Sequence, residues 1–117
     1  MTVVVSLAKA VICFTGSCFP ILYGVNTPTG EFEIAQRFVI TPGYGGDVIQ
    51  FYETDKEVFS IHRTWTGRPA EHRPQRYSSP NVKDHVISKG CINLEPKVYE
   101  KLLDCCVVSG NKLIIEK

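Results

Sequence analysis

Short apolar segments separated by turn residues dominate the chain and predict β-strands. Residues 2–24 are rich in Val, Ile, Phe, Tyr and Cys, as is typical of half-buried strands. Turns near Lys9 and at 15–17 divide this region, so that one strand covers 10–14 and the next returns over 18–25. Further strands are predicted at 31–34, 37–40, 48–52, 58–62 and 113–115. The pattern therefore indicates a mostly β protein.

One segment near the C-terminus has helical instead of alternating periodicity. Apolar side chains recur at the spacing of a buried helical stripe at Val98, Tyr99, Leu102, Leu103 and Cys106. Pro96 suits the first helical turn, and Gly110 suits the position after the last one. We therefore expect one short α-helix in an otherwise β fold.

Residues 63–87 have no clear period and form a long irregular stretch. The stretch contains three prolines, the single Trp65, and a cluster of basic residues: Arg63, Arg68, Arg73, Arg76, His72 and His85. Irregular segments of this length are uncommon in small domains and often functional. Because Trp65, Tyr77 and Val82 favour packing, we expect an ordered loop and not a disordered insert.

Length and composition limit the classes of protein that fit. The 117 residues suit one domain covering 1–117, with 44% hydrophobic and 21% charged residues. A formal net charge of +1 gives no reason to expect nucleic acid as a partner. No apolar run is long enough for a membrane span, and the N-terminus lacks the pattern of a signal peptide.

Five cysteines are present, and one of them has unusual surroundings. Cys91 follows Gly90 within a polar segment, whereas Cys105 and Cys106 fall on an apolar helical face and suggest core positions. Cys13 and Cys18 would face each other across a hairpin. A disulfide is conceivable there, but we expect two small buried hydrophobes instead.

A nucleophilic cysteine needs a base or a nearby cation, and three histidines compete for that role. His62 ends a predicted strand, where rigid scaffold would hold it, while His72 and His85 are expected to be exposed in the irregular stretch. A zinc site built from these histidines and Cys91 is a weaker alternative, because the spacings are irregular. On these grounds His62 is the preferred base.

Three segments, in this order, resemble motifs of the L,D-transpeptidase (YkuD-like) catalytic domain. Ser-Lys-Gly-Cys-Ile-Asn at 88–93 is similar to the family's nucleophile motif, [S/T]-x-G-C-hydrophobic-[N/R]. Thr-Pro-Thr-Gly-Glu-Phe-Glu-Ile at 27–34 resembles its T-P-x-G-x-F-x-I segment, and the pair Ile61-His62 resembles the I-H pair with the catalytic histidine. The interval of 29 residues from His62 to Cys91 is longer than usual in the family, whereas the 19 residues from His72 fit better, so His72 stays a candidate.

The resemblance implies a β-sandwich with one short α-helix after the nucleophile loop, acting on peptidoglycan stem peptides without cofactor or metal. The expected reaction is transpeptidation through a thioester. The alternatives are hydrolysis of the same bonds and cell-wall binding without catalysis. Cys91, His62 and Gly90 are the expected catalytic residues. From their side-chain chemistry and their nearness to Cys91 in sequence, Arg73, Arg76, Ser88 and Asn93 are expected to bind substrate or to orient the loop. The substrate implies the periplasm or cell wall, and a monomer is expected. Neither the export route nor the choice between transfer and hydrolysis follows from the sequence.

Overall fold

The computed structural model describes residues 2–107 and 111–117, so Gly110, expected to end the helix, lies outside the described part. The strands are β1 (Thr2–Ser6), β2 (Val11–Phe14), β3 (Ser17–Pro20), β4 (Tyr23–Gly24), β5 (Gly30–Glu33), β6 (Ala35–Phe38), β7 (Asp47–Glu53), β8 (Val58–Arg63), β9 (Val86–Ser88), β10 (Ile92–Leu94) and β11 (Lys112–Glu116). The two α-helices are α1 (Arg73–Arg76) and α2 (Pro96–Leu102). The prediction of a mostly β, sandwich-like fold is confirmed.

Two main sheets form the layers of the sandwich. The first has the order β3-β2-β1-β11-β5, and the second has the order β10-β8-β7-β6. Most neighbours are antiparallel, but β1 pairs with β11 and β8 with β10 in parallel. A small third sheet joins β4 to β9. His62 lies in β8 of the second sheet, and Cys91 lies between β9 of the small sheet and β10 of the second.

A single apolar core lies between the layers. Its fully buried side chains come from both main sheets and from α2, and include Val3, Ile12, Ile49, Ile61, Ile92, Leu94, Tyr99, Leu102 and Leu113. Burial of each such aliphatic side chain stabilises the fold by about 1.5–3 kcal/mol relative to exposure. The predicted helix supplies Val98, Tyr99 and Leu102 to this core, but α2 ends at Leu102 and continues as a wider π-turn over Leu103–Val107.

The third strand is shorter than predicted, and the reason lies in long-range pairing. The sequence suggested one strand over 18–25, but β3 ends at Pro20 and the chain then changes sheets. Leu22 exchanges two backbone hydrogen bonds with Asn93 of β10, at 3.1 and 2.8 Å. This pairing draws the chain towards the second sheet, so that β4 lies beside β9.

The structure corrects the expectation that Cys13 and Cys18 are buried small hydrophobes, whereas Cys106 is fully buried in the core, as expected, and Cys105 packs against it. Cys13 and Cys18 are register partners in the β2–β3 hairpin and form a disulfide, with Cys18 exposed and Cys13 half-buried. Adjacent residues Cys105 and Cys106 form a second disulfide in the turn that follows α2. Cys91 is the free cysteine in the part of the chain that the structure describes.

The irregular stretch is an ordered connection between β8 and β9. It contains 3₁₀ turns at Pro69–Glu71 and Val82–His85 and the short α1 between them. Tyr77 is buried, and its hydroxyl lies 2.7 Å from Thr64 Oγ1. The expectation of an ordered loop is therefore confirmed. Among the described residues, no helix is long and apolar enough to cross a bilayer.

Candidate active site

Parallel pairing of β8 with β10 brings two of the predicted residues to neighbouring strands. Ile92 pairs with Ile61 and Asn93 with His62, so Cys91, which directly precedes β10, lies beside Ser60. Side chains alternate between the faces of a strand, and neighbouring strands lie about 4.8 Å apart. Cys91 and His62 are therefore diagonal neighbours on one face of the second sheet, although 29 residues separate them in sequence.

These two side chains open into the same cavity, which has a volume of about 620 Å³. Its wall is formed by the end of β8, the nucleophile loop, the β7–β8 turn and the connection that follows β8. The lining residues are Tyr44, Lys56, Glu57, Val58, Phe59, His62, Trp65, Arg73, Ser88, Lys89, Gly90 and Cys91. The cavity thus includes five of the seven residues predicted from the sequence, whereas Arg76 and Asn93 are not in its lining.

The other two histidines are placed differently. His72 is exposed, as expected, and lines a separate cavity of about 210 Å³. His85 was expected to be exposed, but it is buried, with Nδ1 2.8 Å from the Ile21 carbonyl and Nε2 2.9 Å from the Ser79 carbonyl. His85 was misplaced because the distant Ile21 carbonyl that holds it cannot be inferred from the local sequence.

His62 is buried and held in one orientation. Its Nδ1 lies 2.6 Å from the Arg63 carbonyl, which can only accept a hydrogen bond, so Nδ1 carries the proton. Nε2 is then the nitrogen with a free lone pair and is the one that can accept a proton. The pKa of His62 is lowered from 6.5 to about 4, mainly by burial and also by the nearby Arg73 charge, while the hydrogen bond to the Arg63 carbonyl acts in the opposite direction. The imidazole is therefore uncharged at neutral pH.

The Cys91 thiol is also uncharged at rest. Burial raises its pKa and the Glu57 carboxylate adds to this, while a hydrogen bond from the Ser60 backbone and the Arg73 charge act in the opposite direction. Sγ also lies 3.9 Å from the Val58 carbonyl. A neutral thiol beside a neutral imidazole is suited to proton transfer during attack, and not to a preformed ion pair.

Arg73 is a buried cation in the cavity wall. Its Nε bonds Glu71 at 2.9 Å and its Nη1 donates to Asn93 Oδ1 at 3.1 Å. The guanidinium also lies over the Trp65 ring, 4.9 Å from the ring centroid. A guanidinium fixed on these three sides is preorganised to bind an anion that enters the cavity.

Arg76 and Asn93 have supporting positions. The Arg76 guanidinium donates to the backbone carbonyls of Glu71 and Asp84, at 2.8 and 2.9 Å. It thereby links two turns of the connection between β8 and β9. The Asn93 side chain is fully buried, and its Oδ1 accepts from the Trp65 amide as well as from Arg73. These contacts suit an orienting role better than direct contact with substrate.

The nucleophile loop is shaped by packing that the sequence did not reveal. A Cβ atom at Gly90 would lie 2.4 Å from Phe59 Cε1, so the glycine is needed for contact with this ring. Buried Thr27 accepts from the Gly24 amide at 3.0 Å and donates to the Gly90 carbonyl at 2.9 Å. Ser88 Oγ donates to the Cys91 carbonyl at 2.6 Å. The Thr-Pro-x-Gly turn therefore holds the nucleophile loop directly.

Aromatic rings complete the wall around His62 and were not predicted as site residues. The Tyr44 ring meets the imidazole edge-on at 4.6 Å between centroids. Trp65 is enclosed by Gly43 and Gly67, because a Cβ at either position would lie within 2.5 Å of the indole. The glycine-rich loop at 42–46, which contains Gly43, is thus packed against Trp65 in the cavity wall. The feature of the sequence that could have indicated this packing is the presence of glycines on both sides of the single tryptophan, because a glycine leaves room for a large ring.

No group of three potential metal ligands from His, Cys, Asp and Glu gathers in the part of the chain that the structure covers. The four residues considered for zinc are divided between separate locations, with His62 and Cys91 in the main cavity, His72 in the smaller one, and His85 bound to backbone carbonyls. The arrangement of Cys91, His62 and Arg73 instead offers a nucleophile, a proton acceptor and an anion-binding cation.

Comparison with known proteins places this fold. No family model matches the sequence, and no curated protein matches it. Among solved structures, an L,D-transpeptidase from Xylanimonas cellulosilytica is 15% identical with a TM-score of 0.60, over 98% of this chain and 59% of the other. An L,D-transpeptidase from Stackebrandtia nassauensis is 17% identical with a TM-score of 0.57, over 99% and 55% of the two chains.

A third match is the helical cell shape determining protein Pgp2 from Campylobacter jejuni. It is 16% identical with a TM-score of 0.64, over 99% of this chain and 47% of that one. The chain thus spans about half to three-fifths of the length of these structures. Together the matches show that the protein has the L,D-transpeptidase (YkuD-like) fold.

Proposed function

We propose that this protein is a cysteine acyltransferase of the L,D-transpeptidase type, acting on peptidoglycan stem peptides. The observation that carries the proposal is that Cys91 and His62 lie on one face of neighbouring parallel strands and open into one cavity. The hydrogen bond from Nδ1 to the Arg63 carbonyl leaves Nε2 as the proton acceptor. The fold of the solved L,D-transpeptidases supports the same assignment.

In the proposed first step, the Cys91 sulfur attacks the carbonyl of an L-configured centre while its proton passes to His62 Nε2. The amides of Gly90 and Cys91 are proposed to hold the oxyanion. His62 then returns the proton to the leaving amine, so the amide C–N bond breaks and a thioester remains. In the second step an acceptor amine attacks the thioester, gives a proton to His62, and releases the thiol.

Arg73 is proposed to bind a carboxylate of the stem peptide. Its guanidinium lines the cavity and is held by Glu71, Asn93 and Trp65. Ser88 and Asn93 are proposed to orient this machinery, through the Cys91 carbonyl and the Arg73 side chain respectively. The two disulfides suit an oxidising compartment, which agrees with a substrate in the cell wall.

Mass spectrometry of the intact protein tests this function. After incubation with a tetrapeptide stem or a carbapenem, the wild-type chain should gain one acyl group, and Cys91→Ala should gain none. Because Cys13 and Cys18 are bonded to each other, they have no free thiol that could take up the acyl group. A folded wild-type protein that binds stem peptides without forming the adduct would favour a cell-wall-binding module instead.

The same acyl-enzyme has two fates, and product analysis distinguishes them. With an acceptor stem present, transfer gives a cross-linked peptide, whereas attack by water gives the shortened stem peptide alone. Release of only the shortened peptide at high acceptor concentration would assign L,D-carboxypeptidase or endopeptidase activity. Either result keeps Cys91 as the nucleophile.

A further inference from the structure

Two charged groups in the cavity act on the Cys91 sulfur with opposite sign. The buried Arg73 guanidinium favours the thiolate, and the Glu57 carboxylate disfavours it, as their effects on the pKa of Cys91 show. Arg73 forms an ion pair with Glu71 at 2.9 Å through Nε. Glu57 is exposed and takes part in none of the ion pairs formed within residues 2–107 and 111–117. Its charge is therefore available to a ligand.

The position of Glu57 beside the thiol is fixed by a tight turn between β7 and β8. Its amide donates to Thr54 Oγ1 at 3.0 Å, and its carbonyl accepts from the Thr54 amide at 2.8 Å. The next residue, Val58, has its carbonyl 3.9 Å from the Cys91 sulfur. The backbone of Glu57 is thus fixed one residue from the carbonyl that contacts Cys91, and its exposed side chain lines the cavity at its solvent-facing mouth.

The Glu57 carboxylate opposes ionisation of the Cys91 thiol, and this effect would be offset if a positively charged ligand bound next to the carboxylate. The proposed transfer uses such a species, because an alkylamine with a pKa of about 10.4 is almost entirely ammonium at neutral pH. The acceptor must also reach the thioester from the open mouth, where Glu57 lies.

Resting on the proposed function, we propose that Glu57 is the acceptor-binding residue, whose carboxylate holds the ammonium form of a primary amine at the cavity mouth. The bound ammonium releases one proton to solvent to give the free amine. The amine nitrogen then attacks the Cys91 thioester, forming the C–N bond and breaking the C–S bond. The second proton passes through His62 to the departing sulfur. Glu57 thereby favours transfer over hydrolysis.

Two lysines at the same mouth oppose this attraction. Lys56 precedes Glu57, and Lys89 precedes Gly90, and both line the cavity. Glu57 is the acidic side chain among the residues that line the cavity, so it is the group there that can attract an ammonium ion. The proposal requires its attraction to exceed the repulsion from the two lysines.

A thiol-labelling experiment measures this balance without any substrate. The rates at which Cys91 reacts with cationic 2-aminoethyl methanethiosulfonate and with neutral methyl methanethiosulfonate are compared as a ratio, which cancels changes in thiol reactivity. Glu57→Gln should lower the ratio about two- to five-fold, the range for an exposed ion pair. The difference should shrink as salt is added. Asp55→Asn, in the same turn but outside the cavity lining, should leave the ratio unchanged.

A turnover experiment connects the cation site to acceptor use. Glu57→Gln should raise the KM for a diamino acceptor relative to the KM for uncharged hydroxylamine, and comparing the two acceptors cancels any change in the reactivity of Cys91. Equal labelling ratios in wild type and Glu57→Gln, or an unchanged acceptor KM, would overturn the proposal for Glu57. If the wild-type chain forms no acyl-enzyme, the proposed function fails as a whole, whereas the labelling ratio still reports separately whether Glu57 attracts a cation.

Discussion

The resting charge of His62 gives a prediction with a magnitude. The residue is 3% exposed, and its pKa in the folded protein is lowered from 6.5 to about 4, with burial as the largest cause. Between about pH 6.5 and about pH 4 the unfolded chain binds a proton at this residue that the folded chain does not. Stability is therefore present above that window and lost as the pH falls through it. At 1.36 kcal/mol per pKa unit, His62 alone lowers the free energy of unfolding by about 3 kcal/mol between pH 7 and pH 4.

Urea denaturation of the wild type and His62→Asn, at several pH values from 7 to 4, measures this contribution. Asparagine keeps a donor for the Arg63 carbonyl but does not titrate, so other titrating groups contribute equally to both curves. On acidification from pH 7 to pH 4, the wild type should lose about 3 kcal/mol of stability relative to His62→Asn. NMR titration of the His62 ring carbons gives the folded-state pKa directly.

Two results would refute the reasoning. One is an NMR midpoint for His62 at or above 6.5, which would mean that the imidazole is stabilised in its charged form. The other is a constant stability difference between wild type and His62→Asn over the whole range. Either result would favour a thiolate–imidazolium pair in the resting protein and would change the first step of the proposed mechanism, since the proton would already have moved.

Three further predictions concern the loop and the arginines. Gly90→Ala should lower the free energy of unfolding by about 1–3 kcal/mol in urea denaturation, because the new Cβ would lie 2.4 Å from the Phe59 ring. Thr27→Val should cost a similar amount by the same measurement, since it leaves the buried Gly90 carbonyl and Gly24 amide without their partner. Arg73→Gln should raise the KM for stem peptides in steady-state assays. Arg76→Gln should lower stability and leave that KM unchanged, and equal KM changes in both variants would contradict the distinction.

Most of the sheet structure could be predicted from local patterns, and the exceptions have a common cause. β7 and β8 were placed to within a residue at each end, since their apolar residues lie between clear turns. β9 and β10 were missed because each has three residues, too few to show alternation. They exist because β4 and β8 offer partners, and such pairing over long sequence distances leaves no local signal.

In the site, as in the sheets, the contacts that depend on distant parts of the chain could not be predicted from local sequence. Gly90 was predicted from the motif as a catalytic residue, whereas the structure shows that packing against Phe59 requires a glycine there. Thr27 was noted only as part of a motif, and its two buried hydrogen bonds depend on the approach of Gly24 and Gly90. Contacts of this kind can be inferred from sequence only through the resemblance of motifs, because no local property of the residues specifies their partners.

The long interval between His62 and Cys91 follows from the direction of the strands. β8 and β10 run parallel, and parallel neighbours cannot be joined by a tight turn, so the chain must cross back before it enters β10. The connection between them makes that crossing and brings Arg73 and Trp65 into the cavity wall on the way. Asn93, the register partner of His62, accepts hydrogen bonds from both of these residues and so fixes the connection to the strand that follows Cys91. A connection required by topology thus also supplies the cation beside the nucleophile, and its extra length is no argument against His62 as the base.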